Sequence, residues 1–159
     1  MRILEGEEEQ EAKGFMQQAA GMAENSSCLR SQCGSVIAKN GRVIGRGFNS
    51  PPRNKEPKEC LKDKLPQDFV SDKTCCIHAE DRAIRDGLKY FINSLEGSRL
   101  YFIRLKEGKI TKAGDPYCTW CSKMALDAGV SEFALWHDKG ITVYDTKEYN
   151  DLSFKYRKK

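Results

Sequence analysis

The sequence has no apolar run long enough to cross a lipid bilayer, since a membrane-spanning helix needs about 20 consecutive apolar residues. Its acid-rich start, "MRILEGEEEQEAKG", also lacks the positive end and the apolar stretch of a secretory signal peptide. These two absences predict a cytoplasmic protein with no membrane partner.

Internal repeats and long linkers are missing as well. No stretch of the chain is suited to separate two domains, and 159 residues is the size of one domain with a full core. The sequence therefore predicts a single domain over residues 1–159. We expect its core at about 28–146, an N-terminal helix at about 9–26 and a basic tail at 147–159.

A disulfide framework is not expected, because the number of cysteines, seven, is odd and the chain shows no secretion signal. The thiols are therefore core residues or metal ligands. Four of them leave open a second, structural zinc site, although their spacing matches no compact pattern: Cys28, Cys60, Cys75 and Cys76.

Hydrophobic periodicity predicts the element order α-β-β-α-β-α-β-β. Two β-branched runs flank Asn40-Gly41, the strongest local signal for a hairpin turn. Later helices are predicted at about 76–92 and 118–130, strands at 98–105, 132–137 and 141–145, and a long polar loop at 50–74, with a further helix possible from Lys147 onward. This order predicts an α/β fold of three layers, α/β/α, with a mixed sheet of about five strands.

Cys118 and Cys121, in "DPYCTWCSK", lie three residues apart at the start of a predicted helix. Both sulfurs then face one side of the first turn, where the helix N-terminus favours the thiolate. A catalytic zinc takes three protein ligands and leaves one position for water, and His78 is the obvious third ligand. Taken alone, "CTWC" is also compatible with a dithiol redox pair.

Glu80 follows His78 by two residues, and side chains two apart do not share a helix face. If His78 binds the metal, Glu80 need not do so. Glu80 is then placed to take a proton from a water at the metal and to pass it to the reacting atom, as a general acid–base relay.

The chain resembles the zinc-dependent cytidine and deoxycytidylate deaminase family, whose signature pairs His-x-Glu with Pro-Cys-x-x-Cys. Here the matching segments are "HAE" at 78–80 and "PYCTWC" at 116–121. The hairpin "GSVIAKNGRVIGRGFN" and the segments "LYFIRL" and "MALDAGVSEFAL" extend the resemblance over about 28–146. One departure is Tyr117, which stands between Pro116 and Cys118 and alters the turn into the helix.

The resemblance implies a cytidine-deaminase-like fold and a bound Zn²⁺ with three ligands: His78, Cys118 and Cys121. It implies that Glu80 shuttles protons while activated water attacks the amine-bearing ring carbon and ammonia leaves. It further implies that the N–H group of Ala79 binds the pyrimidine carbonyl. Asn49 would contact the sugar or the base. Cys33 falls where the family carries a buried apolar residue, so the resemblance also implies a core thiol there.

The long connection between Asn49 and His78 resembles that of deoxycytidylate deaminases, and this favours dCMP as the substrate, with dUMP as the product. A net charge of +4 suits such an anionic nucleotide, and candidate phosphate ligands are Arg46, Arg53 and Lys55. The alternatives are another base or nucleoside (cytosine, cytidine or guanine), tRNA, or a catalytically silent zinc-binding regulatory module. The resemblance also implies a homo-oligomer.

Overall fold

The computed structural model of the protein describes residues 1–66, 75–91 and 95–156. Three parts of the predicted elements lie outside the described residues. They are the end of the long loop (67–74), the end of the helix expected at 76–92, and the last three residues of the basic tail.

The described residues form seven strands and four α-helices. The strands are β1 (Arg2–Ile3), β2 (Gln32–Lys39), β3 (Arg42–Phe48), β4 (Arg99–Lys106), β5 (Lys109–Thr111), β6 (Glu132–His137) and β7 (Gly140–Asp145). The helices are α1 (Gly6–Ala23), α2 (Ala79–Leu88), α3 (Thr119–Asp127) and α4 (Thr146–Lys155). The five predicted strands are present, and β1 and β5 are additions too short to show an alternating pattern.

All seven strands belong to one mixed sheet, in the order β1-β7-β6-β4-β2-β3, with β5 paired beside β4. Every named pair is antiparallel except β4 with β6, which run parallel. This parallel pair encloses the crossover through α3, as expected for parallel strands that need a helical connection. The predicted mixed sheet is confirmed.

Successive residues of β2 point to opposite faces of the sheet, and each face carries its own core. Val36 packs with the α1 core, whereas Ile37 packs with the core beneath α2 and α3. Both side chains are fully buried. The predicted three-layer α/β/α architecture is therefore confirmed, with α1 alone on one face and the other helices opposite it.

The turn between β2 and β3 is the predicted hairpin. Asn40 and Gly41 both have positive φ, 50° and 71°, which is the backbone that a two-residue turn of type I′ requires.

Local side-chain hydrogen bonds set the end of α1 and the start of α4. Helix α1 ends earlier than predicted because the amide of Asn25 bonds to Gly21 O, and α4 begins where Asp145 accepts N–H groups from the first turn.

Helix α2 begins at Ala79 rather than at Cys76, because the chain before it is extended. Ile77 forms an antiparallel bridge with Ser50, and its N–H group lies 2.9 Å from Ser50 O. His78 has φ −72° and ψ 152°, so it is the N-cap residue and not a member of the helix. The bridge anchors this N-cap beside the end of β3.

Gly47 allows α2 to lie almost in contact with the backbone of β3. A Cβ atom at this position would lie 2.2 Å from Ala79 O and 2.5 Å from Ala83 N, both of which are backbone atoms of α2. Such distances are far below van der Waals contact. Only glycine therefore permits this approach, which sets the height of the α2 N-terminus above the sheet.

No helix within residues 1–66, 75–91 and 95–156 is long and apolar enough to cross a membrane. The assignment of residues 1–159 to a single domain and the cytoplasmic location stay predictions.

Gly47→Ala is expected to destabilise the protein by about 1–3 kcal/mol or more, because the new methyl group must push α2 away from the sheet. The matched control is Gly21→Ala in α1, where a Cβ atom meets nothing within 4 Å. The control is expected to gain up to about 1 kcal/mol from helix propensity. Urea unfolding of both variants measures the difference, and equal stabilities would refute the close-approach argument.

Candidate metal centre

His78, Cys118 and Cys121 meet at one edge of the sheet, where α2 and α3 both begin. His78 Nδ1 lies 3.1 Å from Cys121 Sγ and 3.4 Å from Cys118 Sγ. The two sulfurs are 3.2 Å apart. These three residues are a group of possible metal ligands within the described part of the chain, with all ligand atoms within 4.8 Å of one another.

The two helix starts explain why the three side chains converge. His78 is the N-cap of α2, and Cys118 is the N-cap of α3. The N–H group of Cys121 donates to Cys118 Sγ at 3.3 Å, so the sulfur itself caps the helix. Tyr117, the departure from the family pattern, therefore leaves the Cys-x-x-Cys turn intact, while its exposed ring contacts Tyr156 edge to face at 4.7 Å.

The surroundings of Cys118 favour its thiolate. A hydrogen bond from Cys121 is the largest cause, and it outweighs burial and lowers the pKa of Cys118 to about 4. The His78 ring acts in the same direction. In the same pair the pKa of Cys121 is raised well above its usual value, chiefly because it shares its proton with Cys118. The thiolate is the form that binds metals.

His78 responds to the same negative charge. Its hydrogen bond with Cys118 raises the pKa of the imidazole to about 9, although burial opposes this. A metal ion would compete with the proton for the place between the His78 ring nitrogen and the cysteine sulfurs. Metal binding at this site should therefore release protons.

Glu80 lies in the first turn of α2, with a side chain 7% exposed. Burial raises the pKa of Glu80, whereas the positive charge of His78 acts to lower it. A raised pKa suits a carboxyl group that accepts and returns a proton near neutral pH. As expected, Glu80 lies beside the cluster of ligand atoms without belonging to it.

The donor set fits zinc. Zinc accepts thiolate and imidazole ligands at about 2.3 Å and 2.0–2.1 Å, in tetrahedral geometry. The corresponding ligand–ligand distances are about 3.5–3.8 Å, so small outward side-chain rotations accommodate the ion. Three protein ligands leave one position for water, as in catalytic zinc sites.

Asn49 is buried, and its amide is already engaged by the segment that precedes β2. Its Oδ1 accepts the N–H group of Cys33 at 2.7 Å and the hydroxyl of Ser26 at 2.6 Å. Its Nδ2 donates to Ser31 O at 2.9 Å. Asn49 is thus held rigidly, and its predicted contact with sugar or base stays a prediction.

Ala79 is the first residue of α2 and is fully buried. The first N–H groups of a helix have no acceptor within the helix, so that of Ala79 suits a ligand carbonyl. The expectation for Asn49 and Ala79 rests on the family resemblance.

Cys33, the predicted core thiol, is indeed buried, and burial raises the pKa of its thiol.

His137 has structural partners. Its Nδ1 lies 3.0 Å from Ala113 O, which can only accept, so Nδ1 carries the proton. Its Nε2 then accepts the hydroxyl of Tyr144 at 2.8 Å. Both nitrogens are thus used within the domain.

The three predicted phosphate ligands, Arg46, Arg53 and Lys55, are exposed, and their contact with a phosphate stays a prediction. Two other cations act on groups of the site. The charge of Lys62 opposes the pKa rise of His78, which comes mainly from Cys118. Burial raises the pKa of Glu80, and the positive charge of Arg104 acts to lower it. The Arg104 side chain also hydrogen-bonds to Cys33.

Tyr149 was also missed by the sequence predictions. This buried residue of α4 stacks on Phe133 with ring centroids 4.2 Å apart. Burial raises the pKa of Tyr149 well above its usual value, and the charges of Glu80 and Cys121 act in the same direction. The Tyr117 backbone N–H donates to the Tyr149 hydroxyl, which supports the turn that leads into α3.

Known proteins are similar to this chain in sequence. Residues 9–136 match the family described as the cytidine and deoxycytidylate deaminase zinc-binding region. A deoxycytidylate deaminase of Saccharomyces cerevisiae is 28% identical over 145 residues, which cover 83% of this chain. The chain spans 42% of the length of that relative.

Two solved structures are similar to this one. The dCMP deaminase of the cyanophage S-TIM5, in complex with dCMP and dUMP, has a TM-score of 0.53 and 26% identity, with 76% of each chain covered. The cytidine deaminase of Burkholderia pseudomallei has a TM-score of 0.59 and 13% identity, over 86% of this chain and 94% of the other, a likeness of fold alone. The predicted cytidine-deaminase-like fold is confirmed.

His78→Ala is expected to remove one zinc ion per chain, because two thiolates alone do not complete the site. His137→Ala is the matched control, since the sequence has two histidines and His137 lies outside the ligand cluster. Its zinc content should stay at the wild-type value. Elemental analysis of both purified proteins measures this, and full zinc in His78→Ala would rule out His78 as a ligand.

Proposed function

Since the chain belongs to the cytidine and deoxycytidylate deaminase zinc-binding family, we propose that it hydrolyses dCMP to dUMP with release of ammonia. The observation that carries this proposal is the meeting of three zinc ligands with a buried acid: His78, Cys118 and Cys121 beside Glu80. A dithiol redox pair would not need the histidine or the acid at this place.

The proposed ligands are His78, Cys118 and Cys121. Zinc, when bound there, supplies a Lewis acid that makes a water molecule a nucleophile near neutral pH. Two thiolates offset the charge of the ion, while the N-termini of α2 and α3 add positive potential at the same point.

Glu80 is proposed to move the protons of the reaction. Its carboxylate takes a proton from the attacking water and gives it to the ring nitrogen next to the reacting carbon. A second proton from the added water then leaves with the amine, so that dCMP and water become dUMP and ammonia. Burial suits Glu80 to this role because its two protonation states then lie closer in free energy.

The base is proposed to lie against the start of α2. There the Ala79 N–H group donates to the pyrimidine carbonyl, as the helix N-terminus favours. Asn49 directly follows β3, where it is proposed to contact the sugar or the base. Its rigid hydrogen bonding to the 26–33 segment supports such a positioning role.

The phosphate is proposed to bind Arg104 and Lys62. Both cations are close enough to influence groups of the site, Glu80 and His78 respectively. A nucleotide carries its negative charge at one end, and a site with two cations favours it over an uncharged nucleoside. The likeness to deoxycytidylate deaminases supports the same substrate.

One assay compares dCMP with the alternative substrates. Ammonia release is measured with dCMP, deoxycytidine, cytidine, cytosine, guanine and tRNA, and dCMP is expected to give the highest kcat/KM. Faster turnover of a nucleoside or of tRNA would replace the proposed substrate. A silent regulatory module is disfavoured by the presence of Glu80, and homo-oligomerisation stays a prediction.

Glu80→Gln is expected to lower kcat for dCMP by at least about 100-fold, because the amide cannot accept the proton. Zinc content should not change. The matched control is Glu7→Gln, since Glu7 is the second residue of α1 as Glu80 is of α2, but it is exposed. Activity of Glu80→Gln within tenfold of the wild type would contradict the proton-transfer role.

Arg104→Ala is expected to raise KM for dCMP about tenfold, the loss of roughly 1.4 kcal/mol for one charged contact. KM for deoxycytidine should stay unchanged, because this nucleoside has no phosphate. Lys106→Ala serves as control, since Lys106 is an exposed cation on the same strand. Equal effects on both substrates would argue against a phosphate contact.

A further inference from the structure

Four cysteines outside the catalytic centre form a chain of contacts. Cys60 Sγ lies 3.8 Å from Cys75 Sγ. Cys76 contacts Cys75 and is hydrogen-bonded to Cys28. All seven cysteines lie among the described residues, and none is part of a disulfide. Three separate segments of the chain therefore bring the four cysteines into successive pairwise contact, although no three of their sulfurs lie within 4.8 Å of one another.

Backbone N–H groups point at the sulfurs from both ends of this chain. Cys28 Sγ accepts from the N–H groups of Ser31 and Arg30, and Cys60 Sγ accepts from that of Lys62. Burial acts to raise the pKa of Cys28, but these N–H donors, with hydrogen bonds from Cys76 and Asn49, outweigh it and the pKa is lowered. At Cys60 burial outweighs the N–H donor and the pKa is raised. N–H donors placed in this way stabilise thiolates and not neutral thiols.

The segment that carries Cys60 has almost no core of its own. Between residues 51 and 66, Cys60 is buried, whereas its neighbours are exposed or half-buried. The regular structure there consists of two short 3₁₀ turns, Pro52–Asn54 and Leu61–Lys64. A polar segment whose buried residue is a cysteine facing other cysteines is typical of a segment held by a metal ion.

We propose that the chain holds a second, structural zinc ion bound by four thiolates: Cys28, Cys60, Cys75 and Cys76. In a tetrahedral site with Zn–S bonds of about 2.3 Å, the sulfurs lie about 3.8 Å apart. The distance between Cys60 and Cys75 already has this value. An ion would draw the two ends of the contact chain, Cys28 and Cys60, onto the same centre.

This second site connects to the first through neighbouring residues. Cys76 precedes His78 by two residues, so the ion fixes the chain where it enters α2. Ser26 and Cys33, on either side of Cys28, hold Asn49, and Lys62 follows Cys60. The second ion therefore anchors parts of the proposed substrate pocket without taking part in the reaction.

Metal content tests the proposal independently of activity. The wild-type protein, purified under reducing conditions with zinc present, is expected to hold two zinc ions per chain by elemental analysis. Cys60→Ser should hold one, and the control Cys33→Ser should hold two, because Cys33 is a buried thiol outside both groups. One ion in the wild type, or two ions in Cys60→Ser, would overturn the second site.

Further variants separate this proposal from the catalytic one. His78→Ala should keep one ion, and the double variant Cys60→Ser with His78→Ala should keep none. If Cys60→Ser does not fold, Cys60→His tests the same site, because imidazole still binds zinc and two ions should remain. In the cobalt-substituted wild type, the thiolate-to-cobalt charge-transfer absorption should correspond to six thiolates. An intensity corresponding to two would mean that the four cysteines are merely hydrogen-bonded neighbours.

Discussion

The site depends on two helix N-termini that meet at one edge of the sheet. There, His78 at the start of α2 faces Cys118 and Cys121 at the start of α3, with atoms 3.1–3.4 Å apart. Each helix end adds positive potential and N–H donors, so the thiolate is stabilised before any ion arrives. The resulting affinity for a soft divalent cation is a property of the arrangement and not of any one ligand.

Contacts with the sheet fix the positions of these two helix N-termini. Gly47 lets α2 lie against β3, and the Ser50–Ile77 bridge fixes the residue before His78. The parallel pair of β4 and β6 requires a crossover, and α3 is that crossover. Core packing on the α2 and α3 face therefore stabilises the site geometry together with the fold, and a packing change there affects both.

The loop between β3 and α2 is held differently from the helices and strands. Within its described residues 51–66 only Cys60 is buried, so polar contacts hold this segment. Asp63 pairs with Arg30, and the hydroxyl of Ser27 donates to Lys55 O. The guanidinium of Arg82 bonds to the carbonyls of Ser50 and Pro51 and stacks over Phe48 at 5.3 Å. Polar anchoring, together with the proposed second zinc ion, lets this segment border the proposed pocket without a hydrophobic core of its own.

The sequence by itself determined the hairpin at Asn40-Gly41, the five main strands, and the trio of His78, Cys118 and Cys121 with Glu80. Each of these depends on local turn chemistry, on periodicity or on a short motif. The two short strands, the exact starts of α1 and α2, and the positions of Arg104, Lys62 and Tyr149 near the site were decided only by the tertiary structure. These residues come from separate segments, and no local spacing encodes which side chains long-range packing brings to one pocket.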